Sequence, residues 1–245
     1  MSKTFESPNG SAKEDLLTRI RGPFGTILAD PPWRFQNRTG KMAPEHRRLL
    51  RYPTMTLEEI AELPVADLAA SRSHLYLWVP NALLAQGLEV MQAWGFTYKT
   101  NLVWYKVRKD GGPDGRGVGF YFRNVTELVL FGVRGSMRTL DPGRTQVNLV
   151  CTQKREHSRK PIELYDIIEA CSPGPYLELF ARFPRNGWQY WGNEDVSRNE
   201  LLPSSAPVRI SNGLAEQLAL LEDGPHYEAR RTTTPERDLR SIESP

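Results

Sequence analysis

Between about residue 23 and residue 196 the hydrophobic and polar positions follow two alternating patterns. Short apolar runs at Thr26–Ala29, Leu75–Val79, Leu102–Val107, Glu127–Val133 and Leu177–Ala181 predict buried strands. Between them, helical spacing predicts helices over Thr56–Leu63, Asn81–Trp94 and Pro161–Cys171. The second helix aligns Leu84, Leu88 and Met91 on one face, at i, i+4 and i+7. The third turns Ile162, Tyr165 and Ile168 inward, with Ser158 as its N-cap and Pro161 in the first turn. Strands alternating with helices predict an α/β domain with a mostly parallel sheet, covered by helices on both faces.

The pattern fades at both ends. Residues 1–22 are polar and contain Ser-Pro-Asn-Gly, which predicts a flexible N-terminal arm; residues 23–198 form the folded domain. Over residues 199–245 the composition shifts to Leu201-Leu202-Pro203-Ser204-Ser205-Ala206-Pro207, a linker-like stretch. A short amphipathic helix at Gly213–Leu221 and a disordered end are expected in this C-terminal tail.

Composition narrows the function classes. The 245 residues are 39% hydrophobic and 25% charged, values typical of a soluble globular protein. A formal charge of +3 is only mildly basic, so a nucleic-acid surface would have to be local. No apolar stretch reaches the length of a membrane span, and Met1 to Asp15 carries no signal-peptide core, so no membrane is expected. Cys151 and Cys171 fit no metal or redox spacing. A reducing cytoplasm and no metal site follow.

The chemistry concentrates where the first apolar run stops, at Asp30-Pro31-Pro32-Trp33. Asp30 is an anionic acceptor, and the carbonyls of Ala29, Asp30 and Pro31 project from a backbone stiffened by two prolines. Neither proline carries an N–H, so no donor competes there. Trp33 offers a face for stacking a base, worth about 1–3 kcal/mol. An exocyclic amino group on an aromatic ring suits all of these groups at once.

Glycine-rich nucleotide loops do not supply the partner site. No G-x-x-x-x-G-K-[ST] is present, and Gly115-Arg116-Gly117-Val118-Gly119 leads to an aromatic run rather than a helix, so it fails as a dinucleotide turn. A better candidate runs from Ser158-Arg159-Lys160-Pro161 through the helix to Ser172-Pro173-Gly174-Pro175-Tyr176-Leu177-Glu178-Leu179-Phe180-Ala181-Arg182, with Trp191-Gly192-Asn193-Glu194 following. An acidic residue here can accept hydrogen bonds from ribose hydroxyls, and Phe180 can stack on adenine.

These residues carry a resemblance. Asp30-Pro31-Pro32-Trp33, Leu77-Trp78-Val79, Lys160-Pro161 with Glu163-Leu164-Tyr165, Ile168-Glu169, Ser172-Pro173-Gly174, Glu178-Leu179-Phe180, Arg182 and Gly192-Asn193 occur in that order between Pro23 and Glu194. The chain resembles the adenine-amino methyltransferases typified by the eukaryotic messenger-RNA adenosine methyltransferase, and most of all their bacterial and phage DNA-modifying members. The resemblance implies a Rossmann-like methyltransferase fold with permuted motif order, S-adenosylmethionine as cofactor and N6-methyladenine as product. It implies Asp30, Pro31, Pro32 and Trp33 as catalytic residues. It also implies a cofactor site at Leu28, Asp30, Ser158, Lys160, Glu178, Leu179, Phe180, Arg182, Asn193 and Glu194. The chain departs from the eukaryotic pattern after Arg182, where Phe183-Pro184-Arg185-Asn186 replaces a His-Asn pair. Arg185 and Asn186 are the candidate substitutes.

Two basic segments are the candidate polynucleotide contacts. One holds Arg34, Arg38, Lys41, Arg47, Arg48 and Arg51; the other holds Lys106, Arg108, Lys109, Arg116 and Arg123 beside Phe120-Tyr121-Phe122. The alternation leaves Phe120 and Phe122 open to a core role instead. The expected activity is methylation of adenine in DNA, on a base flipped out of its stack, in a prokaryotic or phage-infected cell. RNA as substrate, a catalytically silent nucleic-acid-binding role, a homodimer and a partner subunit stay open.

Overall fold

The structure is a computed structural model that describes residues 11–35, 54–114, 121–141, 143–153, 160–183 and 185–192. Its seven strands are β1 (Phe24–Ala29), β2 (Ala69–Val79), β3 (Thr97–Val107), β4 (Thr126–Arg134), β5 (Leu149–Gln153), β6 (Tyr176–Leu179) and β7 (Trp188–Trp191). They form one sheet in the order β5-β3-β4-β2-β1-β6-β7. Every pairing is parallel except those of β4, which runs antiparallel to β2 and β3. The expected α/β architecture with a mostly parallel sheet is what the chain forms.

All six residues of β1 are buried, as its position between β2 and β6 demands. Ile27 and Ala29 enter one core cluster with Leu75, Leu77, Leu177 and Leu179; Leu28 enters the other with Tyr76 and Trp78. The first face is covered by α1 (Ala12–Arg19), α2 (Leu57–Ala61), α3 (Val65–Leu68) and α4 (Leu84–Ala93), the second by α5 (Glu163–Cys171). The chain leaves β1 toward β2 on one side and later returns to β6 on the other. The crevice beyond the carboxyl end of β1 is therefore a topological switch point.

Two expectations are corrected, and one open alternative is closed. The arm expected over residues 1–22 contains α1, which opens with a Ser11–Glu14 capping box and buries Leu16 completely. Trp191 Nε1 donates to Asp15 Oδ2 at 2.8 Å, so the one buried acid of the helix is satisfied from β7. Second, α4 does not turn Leu84 and Leu88 inward: they are exposed, and Gly87, Val90 and Met91 are buried. The cause is close approach at Gly87, where a Cβ would lie 2.5 Å from a Val79 methyl. Third, Phe122 is 84% exposed, not core. Two strands also went unforeseen, β5 and β7.

Asp15→Ala should remove the buried hydrogen bond from the Trp191 indole and lower stability by about 1–3 kcal/mol. Asp15→Asn, which keeps an oxygen there, should recover most of that. Urea unfolding followed by tryptophan fluorescence measures both.

Candidate active site

β1 delivers Asp30 into the crevice, and the backbone of the next residues is tied down on every side. Asp30 N–H donates to the Leu179 carbonyl at 3.3 Å, Trp33 N–H to the Pro31 carbonyl at 2.8 Å, and Met55 N–H to the Pro32 carbonyl at 2.9 Å. The Trp33–Pro31 bond closes a tight three-residue turn and fixes the direction of the Pro31 carbonyl, which keeps its second lone pair. Trp33 itself is buried, and its Nε1 donates to the Trp78 carbonyl at 2.9 Å. The structure thus places this ring in the core as the anchor of the turn.

Beside Asp30 lies a row of alternating charges. Lys160 Nζ is 3.4 Å from Asp30 Oδ1 and 2.8 Å from Glu127 Oε2, and Lys106 Nζ pairs with Glu127 Oε1. Each ammonium also sits over an indole: Lys160 is 4.1 Å from the Trp78 ring centroid and Lys106 is 4.7 Å from that of Trp104. Burial opposes the Glu127 charge, yet the two lysines outweigh it and hold the carboxyl down at about 2. Burial likewise opposes the charge on Lys160, and Asp30 and Glu127 reverse that, raising its pKa above the usual lysine value.

Glu127 and Trp104 carry no role in the sequence reading, and Trp78 figures there only as part of a motif. A signal for Glu127 existed. Asp30 is a carboxylate at the end of an apolar run, and Glu127 is one at the start of another. Because β4 runs antiparallel to β2, its first residues reach the same edge as the last residues of β1 and β2.

Glu178 lies on β6 in register with Leu28, under α5. Tyr165 Oη donates to its Oε1 at 2.9 Å, while its buried Oε2 has no hydrogen-bond partner. Burial, with the nearby Asp30 charge adding to it, raises the Glu178 carboxyl to about 8 despite the Tyr165 bond. An orphaned, deeply placed polar oxygen beside the crevice is what a ligand bearing hydroxyl groups would satisfy. Leu28 and Leu179 are buried framework here, and Leu179 also contributes the carbonyl that holds Asp30. Phe180, expected to stack on adenine, is buried edge-on to Trp191 at 5.3 Å. Its φ of 64° puts a non-glycine residue in the left-handed region, at the turn that leaves β6. Gly192 packs against this turn; a Cβ there would lie 2.6 Å from the Ala181 carbonyl oxygen. Arg182 is half-buried just beyond.

Arg185 is committed elsewhere. It is 2% exposed, and its guanidinium bonds Asp166 at 2.7 Å and Glu169 at 2.7 and 2.8 Å. It cannot also serve as a free replacement for the His-Asn pair. Of the basic residues, Arg34 bonds the Thr54 hydroxyl and carbonyl, Arg108 pairs with Asp110, and Lys106 is turned into the charge row; Lys109 and Arg123 are exposed. Ser158, Asn193, Glu194, Arg38, Lys41, Arg47, Arg48, Arg51, Arg116, Phe120 and the Gly115–Gly119 stretch lie outside the described residues.

Comparison with known proteins gives a family and several relatives. The MT-A70 family profile matches residues 24–194. A putative N(6)-adenosine-methyltransferase MT-A70-like protein of Medicago truncatula is 32% identical over 182 residues, covering 71% of this chain and 27% of that protein. The type II methyltransferase M.MunI of a Mycoplasma species is 28% identical over 207 residues, covering 77% of this chain and 84% of that protein. The N(6)-adenosine-methyltransferase catalytic subunit METTL3 of Homo sapiens is 29% identical over 184 residues, covering 73% of this chain and 29% of that protein. The chain therefore spans less than a third of these plant and human relatives.

The Glu178 environment makes a pH prediction. Between about 4.5 and 8 the unfolded chain ionises Glu178 while the folded protein keeps it protonated. The unfolded state then binds fewer protons, so this residue lowers stability as pH rises through that window. Glu178→Gln should remove that fall, so that the melting temperatures of variant and wild type diverge by several degrees from acid to mildly alkaline pH. Thermal denaturation across the pH series measures it.

Proposed function

The chain belongs to the MT-A70 family of S-adenosylmethionine-dependent methyltransferases, and from that premise we propose that it methylates the exocyclic amino group of adenine in DNA, leaving N6-methyladenine. The observation that carries this reading is the tied turn at Asp30-Pro31. It fixes a carbonyl that keeps a free lone pair directly after the residue that brings a carboxylate to the switch point of the sheet.

The adenine amino nitrogen is a poor nucleophile because its lone pair is delocalised into the ring. Asp30 and the Pro31 carbonyl accept its two hydrogens and favour a pyramidal nitrogen whose lone pair leaves the ring plane. When bound, S-adenosylmethionine supplies an electrophilic methyl group. Asp30 then faces the positive charge that develops on nitrogen and takes up the departing proton. Most of the gain comes from positioning and from acceptors set in place beforehand. Lys160 holds the Asp30 carboxylate at this edge from one side, and the Trp33 anchor holds the turn from the other. Of the residues that would hold the cofactor, Glu178 with its orphaned Oε2 is the best placed. A base inside a duplex cannot reach such a turn, so it enters flipped out or already single-stranded.

The DNA reading draws on the type II methyltransferase M.MunI, 28% identical over 207 residues and matched over 77% of this chain. A second reading, adenosine in RNA, draws on the plant and human relatives, which are named N(6)-adenosine-methyltransferases. METTL3 is named a catalytic subunit, so the proposal leaves room for a partner subunit. Labelled S-adenosylmethionine offered with plasmid, single-stranded DNA and RNA, followed by mapping of the modified base, decides between them. Label in N6-methyladenine of DNA supports the first reading. Label only in RNA replaces it with the second, and label in neither overturns both.

Asp30→Ala should abolish transfer with the fold intact by circular dichroism. Asp30→Asn should lose about a hundredfold or more in turnover, the scale of removing one preset charge-stabilising group, because the amide presents N–H where an acceptor is needed. Single-turnover methyl transfer at saturating nucleic acid measures both.

A further inference from the structure

The β3–β4 connection leaves the sheet at the edge where Asp30 lies, and Lys106 is its root. The Lys106 N–H donates to the Val125 carbonyl at 2.8 Å and its carbonyl accepts from Asp114 N–H at 2.9 Å, while its ammonium pairs with Glu127. The connection is therefore fastened to the charge row itself. On its returning arm stand Tyr121 and Phe122, 88% and 84% exposed; every other exposed large hydrophobic side chain among the described residues is 42% exposed or less. Leaving such a ring in water forgoes the gain that burying it would bring. Two adjacent rings held this far out contribute little to the core. Arg123 follows them and Lys109 stands on the outgoing arm, both exposed.

We propose that Tyr121 and Phe122 form a stacking platform for the nucleobases that flank the target adenine in a single-stranded substrate, with Arg123 on the adjoining phosphate. The inference rests on the nucleic-acid reading above and extends it to strandedness. Phe122 is five residues from Glu127, at most about 18 Å of extended chain, which keeps the rings within a few nucleotides of Asp30. Every base has a π face, so such a platform binds without reading sequence, and it favours bases whose faces are not already stacked in a duplex. The exposed cations beside the rings match a polyanion. A second copy of this chain as occupant is an outcome of the test.

The test uses the full chain carrying Tyr121→Ala and Phe122→Ala, with short single-stranded oligonucleotides containing one adenine, made as DNA and as RNA. The KM for the oligonucleotide should rise at least tenfold, the loss of one or two base stacks. Turnover at saturation should change less than twofold, and the Kd for S-adenosylmethionine by calorimetry should not move. Abasic sites on both sides of the adenine should weaken the wild type by a similar factor and leave the double variant unchanged; Tyr121→Phe should behave as wild type. An unchanged KM in the double variant, with the wild type active, overturns the platform and leaves the proposed function standing. So does a wild-type dimer that the substitutions dissociate in sedimentation, because the rings then belong to a protein interface. Absence of methylation by the wild type on every oligonucleotide overturns the proposed function and this inference together.

Discussion

A lysine ammonium packed on a buried tryptophan keeps its proton only where anions hold it, and the arrangement of this site follows from that requirement. Lys160 lies over Trp78 and is charged because Asp30 and Glu127 face it. Glu127 is ionised because Lys160 and Lys106 flank it. The four groups come from the ends of β1, β3 and β4 and from the segment before α5, so the row also stitches these elements together. Removing Glu127, which pairs with both lysines, would leave positive charge in excess at a partly buried site. Trp78 joins this row to the Asp30-Pro31 turn. Its ring carries Lys160 and its carbonyl holds the Trp33 indole.

The sheet order gives that row its location. A central strand buried on both faces can carry polar chemistry only where it ends. β1 ends between two strands whose connections depart in opposite directions, which leaves the crevice open above it. On the α5 face the second tier of the site is built the same way. Asp166 and Glu169 of α5 fix Arg185, which lies against Tyr165, and Tyr165 donates to Glu178. The half of Glu178 that meets Tyr165 is thereby set, and its other oxygen has no hydrogen-bond partner.

Much of this was legible in the sequence because apolar runs that stop at a charged residue are a local signal. Asp30 at the end of Thr26–Ala29 is such a case, and the helices at Leu84–Ala93 and Glu163–Cys171 follow from their spacing. The same signal at Glu127 stands at the beginning of a run, and only the antiparallel sense of β4 gives it meaning, a fact of topology rather than of sequence. Lys106 reads as a surface cation because nothing local says that β3 carries it to Glu127. The strands Leu149–Gln153 and Trp188–Trp191 are too short and too mixed in polarity to show as periodic runs. The helix at Ala12–Arg19 is polar along most of its length and is held by Leu16 and by an acid whose partner lies far along the chain. The inward face of Leu84–Ala93 turns on Gly87, whose lack of a side chain, not its hydrophobicity, decides which residues meet Val79.

The charge row is also neutral in sum, two ammoniums against two carboxylates. A polyanion approaching the crevice is neither drawn in nor driven off by it, so long-range capture must be the task of cations elsewhere on the surface. Partly buried pairs at contact distance feel dissolved ions weakly, whereas exposed charges lose their reach within a Debye length. Capture and chemistry are thus electrically decoupled in this fold. On the proposed function, the ionic strength of the surroundings would regulate how often a strand arrives while leaving the groups beside Asp30 poised as they were.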